Sequence, residues 1–380
     1  MITRIKIRNF KSLADFEVSD LSAFTCLIGL NGSGKSTLLQ FLDFVQAILK
    51  GNISDWLTRH KWKPTDLISF GTASRTIDFE LDITREQQRQ TWQARLNLQE
   101  LRCVYETLTL RQDSSSPQQH LLTFKDNQLI LKEKIYPLPP AFRHEGSIFS
   151  ILELTDDFFA FQELLQTKAF GVLDPAEASQ ATQISSKSSK IMVEENGKGL
   201  IGFSSQLTSS QQNELFQRLQ TFYPDAHSFK IKSQRFGWKS LLLNEKEKSH
   251  FDASHLSYGT LRILVFLSQW FSDNQCVVFD EIENGINQEI MATLLKLLLD
   301  FNGKQVIITT HSALLINYLP DDIARKNIFF LYKDANGSTH AKRFFDMPPL
   351  ADKLNLLGPG EAMASVDLVQ LSRQLANANE

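Results

Sequence analysis

The sequence predicts an α/β chain with a parallel core sheet, an antiparallel β region and a helical insertion. A Gly-rich loop joins an apolar strand to an apolar helix near the N-terminus, and short apolar strands alternate with helices in the last third. Between these parts, several segments alternate apolar and polar residues with a period of two. The 380 residues, 42% of them hydrophobic, suffice for one large domain with an insertion or for two domains.

The Gly-rich loop is the segment around which the chain is organised. Residues 29–36 read GLNGSGKS and fit the pattern G-x-x-x-x-G-K-[ST]. Backbone N–H groups of such a loop, and the positive end of the helix dipole after it, favour a phosphate. ATP or GTP is therefore expected, with Lys35 reaching the β- and γ-phosphates and Ser36 binding Mg²⁺. The nucleotide-binding residues predicted from this loop are Asn31, Gly32, Ser33, Gly34, Lys35, Ser36 and Thr37.

Composition limits the other functions. A formal net charge of −3 gives no overall basic character, so nucleic-acid binding would require a local patch. Cys26, Cys103 and Cys276 are far apart and are expected to be buried free thiols in a reducing compartment. Charged residues interrupt the N-terminal apolar pattern, and no apolar run approaches a membrane span. The cytoplasm is the expected location, with no membrane partner.

The first two thirds of the chain contain recognisable elements. A strand over Ile2–Arg8 pairs with one around Phe16, and a helix runs from Lys35 to Leu49 and stops at Gly51. Residues 65–140 predict an antiparallel sheet. Helices are expected over Ser150–Leu173 and Ser209–Phe222, separated by a mobile loop near 174–190, and strands over 228–231 and 238–243.

The predicted domain boundaries follow from these changes of pattern. They are an N-terminal half of the nucleotide-binding domain at 1–64, an antiparallel β subdomain at 65–145, a helical insertion at 146–227, a C-terminal half of the nucleotide-binding domain at 228–346 and a tail at 347–380.

Two adjacent carboxylates end an apolar strand in the last third. Residues 276–279 are apolar, and Asp280 and Glu281 follow them. Such a strand end typically binds the Mg²⁺ shell through the first acid, while the second polarises the water that attacks the γ-phosphate. The bland alternative is a pair of acids that caps the next helix. Because a phosphate loop precedes them in the same chain, Asp280 is predicted as a metal ligand and Glu281 as a catalytic residue.

Three further segments follow the order of a known ATPase class. The signature of that class corresponds to Ser257, Tyr258 and Gly259, which precede an apolar helix. The D-loop of the class corresponds to Asn284 and Gly285. His311 follows a strand, at the position where the class has a histidine that senses the γ-phosphate. A lone histidine there would more often be structural. The ordered set of segments resembles the ABC-type ATPases that include the SMC and RecF proteins. It is closest to AAA-type ATPase domains of bacterial phage-defence systems, namely OLD-like and Septu-type ATPases.

The resemblance covers roughly residues 1–50 and 228–335 and carries further implications. It implies an ABC-ATPase-like P-loop NTPase head that forms a head-to-tail homodimer or higher oligomer. Two ATP molecules then lie between the phosphate loop of one subunit and the signature of the other. By the same analogy Lys35 and His311 assist catalysis, and Arg8, Asn9 and Lys11 flank the nucleotide. The Ser-Tyr-Gly-Thr signature disfavours a membrane transporter, and no Q-loop glutamine is assignable.

The function expected from this resemblance is an ATPase that regulates a separate effector, a nuclease or toxin, in antiviral defence. The alternatives are a RecF-like DNA-repair ATPase and a scaffold that binds ATP without appreciable turnover. A nuclease site in this chain is not expected, since the segment after His311 offers Asp321, Asp322 and Asp334 without a Toprim pattern. Nucleic acid, if bound, is expected at the basic residues Lys230, Lys232, Arg235 and Lys239, for which a solvated strand face is the alternative.

Overall fold

The computed structural model describes residues 1–113, 115–139, 142–153, 155–184, 190–245 and 249–378. The chain divides into two compact units. Unit 1 contains residues 1–167 and 320–380, and unit 2 contains residues 168–319.

The strands are numbered in chain order. They are β1 (Ile2–Phe10), β2 (Leu13–Ser19), β3 (Phe24–Ile28), β4 (Thr76–Arg85), β5 (Gln88–Asn97), β6 (Arg102–Arg111), β7 (Gln119–Lys125), β8 (Gln128–Leu131), β9 (Lys134–Pro137), β10 (Thr167–Phe170), β11 (Thr182–Gln183), β12 (Ala226–Ser233), β13 (Trp238–Glu245), β14 (Ser249–Asp252), β15 (Cys276–Phe279), β16 (Gln305–Thr309), β17 (Ile328–Lys333) and β18 (Thr339–Arg343).

The α-helices are numbered in the same way. They are α1 (Lys35–Lys50), α2 (Ile53–His60), α3 (Phe159–Leu165), α4 (Pro175–Ala178), α5 (Leu200–Gln206), α6 (Ser209–Gln220), α7 (Tyr258–Trp270), α8 (Met291–Leu299), α9 (Ala313–Asn317), α10 (Asp321–Asn327), α11 (Pro348–Ala351), α12 (Pro359–Ala364) and α13 (Leu368–Asn377).

Unit 1 contains an antiparallel sheet in the order β2-β1-β4-β5-β6-β7-β8-β9. Its strands alternate as the sequence predicts: Ile5 and Ile7 of β1 are fully buried, while Arg4 on the other face forms ion pairs with Glu17 and Glu80. The sequence predicted a sheet over residues 65–140. The structure adds β1 and β2 to it, because β1 pairs with both β2 and β4.

The phosphate loop also lies in unit 1, between β3 and α1. Every residue of β3 is buried, and β3 pairs in parallel with β17, which pairs in antiparallel fashion with β18. Helix α1 buries an apolar stripe and ends where Gly51 adopts a left-handed conformation (φ 65°) with its N–H bonded to the last turn. The helix predicted from Lys35 and its stop at Gly51 are therefore confirmed.

Unit 2 contains the strands and helices from β15 to α9. β15 and β16 pair in parallel, and β10 lies beside β15. Helix α7 is buried on nearly all sides, which is why its sequence is apolar throughout. A separate antiparallel sheet has the order β11-β13-β12, with β14 also paired to β13. The strands predicted around 228–231 and 238–243 correspond to β12 and β13.

The helix predicted over Ser150–Leu173 differs most from the structure. Ile148–Ile151 and Asp156–Phe158 form two short 3₁₀ turns, the α-helix is limited to α3, and β10 follows it directly. Part of the predicted mobile loop at 174–190 forms α4 and β11. Residues 185–189 of that loop lie outside the described residues.

Two other expectations concern the cysteines and membrane-spanning helices. The three cysteines are buried and none of them forms a disulfide, as the sequence predicted. Within the described part of the chain, no helix combines the length and the apolar character that crossing a bilayer requires.

Candidate functional site

The phosphate loop owes its shape to close packing inside unit 1. Gly34, the N-cap of α1, has a φ of 104°, and a Cβ there would lie 2.2 Å from Oγ1 of Thr339. Thr339 itself is fully buried and is bonded to Ser12 through its backbone and its side chain. The first turn of α1 thus approaches the start of β18 so closely that only glycine fits at position 34.

Lys35 lies inside this loop. Its side chain is 6% exposed, and its Nζ donates hydrogen bonds to the carbonyl oxygens of Gly29 (2.9 Å) and Leu30 (3.1 Å). The N–H of Ser33 closes the turn on the Leu30 carbonyl. Asn31, Gly32 and Ser36 are exposed, while Thr37 is half-buried on the first turn of α1. The loop therefore presents its outer backbone to solvent and encloses one cation.

These features fit a nucleotide phosphate. A buried ammonium and a helix N-terminus supply positive charge at one place. In addition, the buried Ser33 Oγ has no hydrogen-bond partner among the described residues, which is the polar atom that an incoming oxyanion or water would satisfy. The donor set is therefore that of a phosphate site.

The three residues predicted to flank the nucleotide, Arg8, Asn9 and Lys11, occupy the end of β1 and the turn after it. Arg8 pairs with Asp15 (3.1 Å) on the exposed face of the sheet. The Asn9 side chain accepts a bond from the Ser69 N–H (3.0 Å) and donates to the Thr76 carbonyl (2.6 Å), so it organises the segment before β4.

Lys11 lies against α1. Its Nζ donates to Oε1 of Gln40 (2.9 Å) and lies 3.2 Å from the ring centroid of Trp62. Burial lowers the pKa of Lys11 to about 8, partly offset by the charge of Asp66. Lys11 thus provides a second cation beside the helix that follows the phosphate loop.

The carboxylate pair of unit 2 is organised by Thr309 at the end of β16. The fully buried Thr309 Oγ1 donates to Oδ1 of Asp280 (2.6 Å) and accepts a bond from the N–H of Glu281 (2.7 Å). Glu281 has a φ of 44°, an unfavourable backbone conformation for a residue with a Cβ. Strain of this kind persists only where the surroundings enforce it, and it is concentrated at functional sites.

Arg262 of α7 supports the same turn. Its side chain is 2% exposed, and its Nη2 donates to the carbonyl oxygens of Asp280 (2.7 Å) and Glu281 (2.8 Å). Its Nη1 donates to the hydroxyl of Tyr258 (3.0 Å). The guanidinium therefore connects the signature segment with the backbone of both predicted catalytic acids.

The signature and the D-loop contact each other within unit 2. Ser257 caps α7 by accepting a bond from the Thr260 N–H (3.1 Å). A Cβ on Gly285 would lie 2.1 Å from the Tyr258 ring, and one on Gly259 would lie 2.7 Å from the Gly285 carbonyl. Both glycines are thus required by the close approach of the two segments.

His311 follows β16 and is exposed. Its backbone N–H donates to Oε1 of Glu283 (2.6 Å), which lies two residues after Glu281. The strand end that carries His311 is therefore connected to the turn that carries Glu281.

Unit 1 contains the phosphate-loop residues, and unit 2 contains the segments predicted as signature, D-loop, carboxylate pair and histidine. Sequence reasoning missed Thr309, Arg262 and Glu283, although Arg262 interrupts a long apolar run and could have signalled a buried charge.

Comparisons with known proteins place this geometry in context. Residues 24–317 match the family model AAA_21, described as "AAA domain, putative AbiEii toxin, Type IV TA system". No curated protein matches the chain in sequence.

Among solved structures, similarity extends over most of the chain. An SMC head crystallised with the C-terminal winged-helix domain of ScpA is 16% identical, with a TM-score of 0.50, over 91% of this chain and 99% of that one. An SMC head from Pyrococcus furiosus bound to the C-terminal domain of ScpA has 12% identity and a TM-score of 0.49, over 93% and 99% of the two chains. The SMC head from Thermotoga maritima has 13% identity and a TM-score of 0.47, over 90% of this chain and 98% of that one. The first likeness shows an SMC-head-like P-loop ATPase fold.

Proposed function

The chain belongs to the AAA_21 family of AAA domains, and from this premise we propose that it binds and hydrolyses ATP and couples turnover to the control of a separate effector. The observation that carries the proposal is the strained backbone of Glu281, which Thr309 and Arg262 hold in place. A strained, fully supported acid beside a second acid is what positioning of a water molecule requires.

The phosphate-loop residues are assigned to nucleotide binding. Lys35 donates to a phosphate oxygen while the carbonyl oxygens of Gly29 and Leu30 keep its side chain in place, and the N–H groups of residues 31–37 donate to the same phosphates. Ser36 and Asp280 are the residues that would hold Mg²⁺. Bound Mg²⁺ would neutralise charge on the β- and γ-phosphates.

The hydrolytic step is assigned to unit 2. Glu281 accepts a hydrogen bond from the attacking water and orients it toward the γ-phosphate, and His311 donates to the γ-phosphate. Asp280 keeps its orientation because the Thr309 hydroxyl donates to it. Electrostatic positioning of this kind requires residues that do not reorganise during the reaction.

We assign the signature to a partner subunit in a head-to-tail homodimer. Ser257, the N-cap of α7, is exposed at the start of that helix, which suits an anion brought by another chain. The family description names a toxin–antitoxin context, and the SMC head with a TM-score of 0.50 is bound to a winged-helix domain of ScpA, which supports a protein partner for this ATPase. A role in antiviral defence is proposed on that basis.

Two variants separate binding from turnover. Lys35→Ala is expected to lose nucleotide binding, because the only enclosed cation described in the phosphate loop is removed. Glu281→Gln is expected to retain nucleotide, stop hydrolysis and accumulate an ATP-bound dimer, measured by light scattering. Unchanged turnover of Glu281→Gln would refute its catalytic role.

A mixing experiment tests the dimer. Ser257→Arg is expected to bind ATP but to lose turnover, since a bulky cation obstructs the γ-phosphate held by the partner. If the sites are shared, mixing Ser257→Arg with Lys35→Ala rebuilds one intact site per heterodimer and restores part of the activity. If each subunit works alone, the mixture stays inactive. A monomer with ATP, together with full turnover by Ser257→Arg, would refute the head-to-tail model.

A further inference from the structure

The hairpin of β12 and β13 in unit 2 carries basic and aromatic residues that have no role in the proposed nucleotide chemistry. Its tip, residues 234–237, is closed by a hydrogen bond from the Gln234 N–H to the Trp238 carbonyl (2.7 Å). The sequence between Asp225 and Glu245 contains no acidic residue and includes four of the chain's Lys and Arg residues. The hairpin is therefore a locally basic element in a chain whose net charge is −3.

Two aromatic side chains are exposed at this tip. Phe236 is 86% exposed, and its φ of 58° is unfavourable for a residue with a Cβ. Trp238 is 39% exposed at the start of β13. Two exposed rings two residues apart on a basic hairpin form an apolar patch of the kind that a ligand covers.

The cations and the indole share one face of the hairpin. Lys232 is paired with Ser240 and Lys230 with Leu242, so both lysines lie on the face that also carries Trp238, two residues before Ser240. Both lysines and Arg235 are exposed. Lys239 lies on the opposite face, where its Nζ donates to Ser233 (2.7 Å). Two of the four basic residues singled out in the sequence therefore share the face of Trp238, and Arg235 is adjacent in sequence to Phe236 at the tip.

We propose that this hairpin face binds single-stranded nucleic acid. Phe236 and Trp238 stack on unpaired bases, and Lys230, Lys232 and Arg235 contact the phosphates between them. Aromatic platforms beside a row of cations are the combination that binds single strands without sequence preference. A duplex would use the cations alone, because its bases are already stacked, and an acidic protein would not require two solvent-exposed rings beside the charges.

The test uses the full chain and a fluorescein-labelled oligothymidylate in anisotropy titrations without nucleotide. Phe236→Asn combined with Trp238→Ala is expected to weaken binding at least about tenfold, whereas Trp238→Phe keeps a ring and most of the affinity. Asparagine tolerates the left-handed conformation, so the tip is expected to stay folded. Lys230→Ala with Lys232→Ala is expected to lower the slope of log affinity against log salt by about 1.4.

Lys239→Ala is the matched control, since it removes one cation from the same hairpin but from the other face. It is expected to leave ring-dependent binding in place. Absence of oligonucleotide binding, equal affinity of the ring variants and wild type, or duplex binding as tight as single-strand binding would each overturn the proposal. Loss of a bound protein by the ring variants, with oligonucleotide affinity unchanged, would assign the hairpin to a protein partner instead. ATP turnover without nucleic acid reports separately on the proposed ATPase.

Discussion

Replacing Thr309 by valine tests whether the turn that carries Asp280 and Glu281 is held by one hydroxyl group. Valine has nearly the same shape as threonine, so the substitution removes the hydroxyl and little else. In the wild type this hydroxyl is fully buried and makes bonds of 2.6 Å to Asp280 and 2.7 Å to the N–H of Glu281. The variant therefore isolates those two bonds from the packing of β16.

The expected cost follows from the groups left behind. An unsatisfied buried N–H costs about 1–3 kcal/mol, and a lost hydrogen bond to a charged group costs about 1.5–3 kcal/mol. Because Asp280 is only half-buried and water can replace part of its bond, we expect a total near 3 kcal/mol. Release of the strained Glu281 backbone also displaces its carboxylate, for which a shift of about 1 Å lowers turnover about 100-fold.

Urea unfolding measures the loss of stability, and steady-state ATP hydrolysis measures the loss of turnover. Binding of a fluorescent ATP analogue measures nucleotide affinity. Thr309→Ser is the control, because it keeps the hydroxyl and loses one methyl group at a cost of about 1 kcal/mol. Nucleotide affinity is expected to change little in both variants, since the phosphate loop is intact. If the valine and serine variants have the same stability and the same turnover, the hydroxyl does not hold the turn.

Three further predictions use other features of the fold. Gly34→Ala is expected to lower the free energy of unfolding by about 2–4 kcal/mol, because the added Cβ would clash with Thr339. Gly337→Ala is the control and is expected to cost about 1 kcal/mol, since its φ of 80° is also positive but its added Cβ meets nothing; equal costs in urea unfolding would contradict the clash. Arg262→Lys is expected to reduce kcat at nearly unchanged KM, because an ammonium cannot bridge both carbonyl oxygens and the tyrosine hydroxyl; a change confined to KM would contradict this positioning role. Burial raises the pKa of Glu106 from 4.5 to about 7, so the stability that its protonated form contributes is present below pH 4.5 and is lost as the pH rises through 7. In urea unfolding, the stability of wild type relative to Glu106→Gln is expected to fall by about 3 kcal/mol over that range, and a pH-independent difference would contradict this.

The sequence predicted the parts of the site that are continuous in the chain. The phosphate loop, the strand ending at Asp280 and the cap at Ser257 each depend on neighbours within a few residues, so local pattern suffices to find them. Thr309 and Arg262 act through contacts with residues 28 and 18 positions away or more, and such pairings are set by the tertiary fold. Their roles therefore became visible only in the structure.

The segment over Ser150–Leu173 was mispredicted for a related reason. Its apolar residues are numerous but follow neither helical nor alternating spacing consistently, and short apolar runs do not distinguish a buried helix from a buried strand. β10 ends this segment because the Phe170 carbonyl accepts a bond from the Asp280 N–H (2.9 Å), a contact that bridges more than a hundred residues. Tertiary pairing decided the local conformation here.

The position of Lys35 has a consequence for affinity. Its side chain is immobilised by hydrogen bonds to the Gly29 and Leu30 carbonyl oxygens of the loop itself. Ordering a free lysine side chain costs about 1.5–2 kcal/mol of rotamer entropy, and Lys35 loses that entropy when the chain folds and not when the nucleotide binds. Since about 1.4 kcal/mol corresponds to a factor of ten in a dissociation constant, this preorganisation alone is expected to tighten nucleotide binding about tenfold relative to a loop whose lysine is mobile.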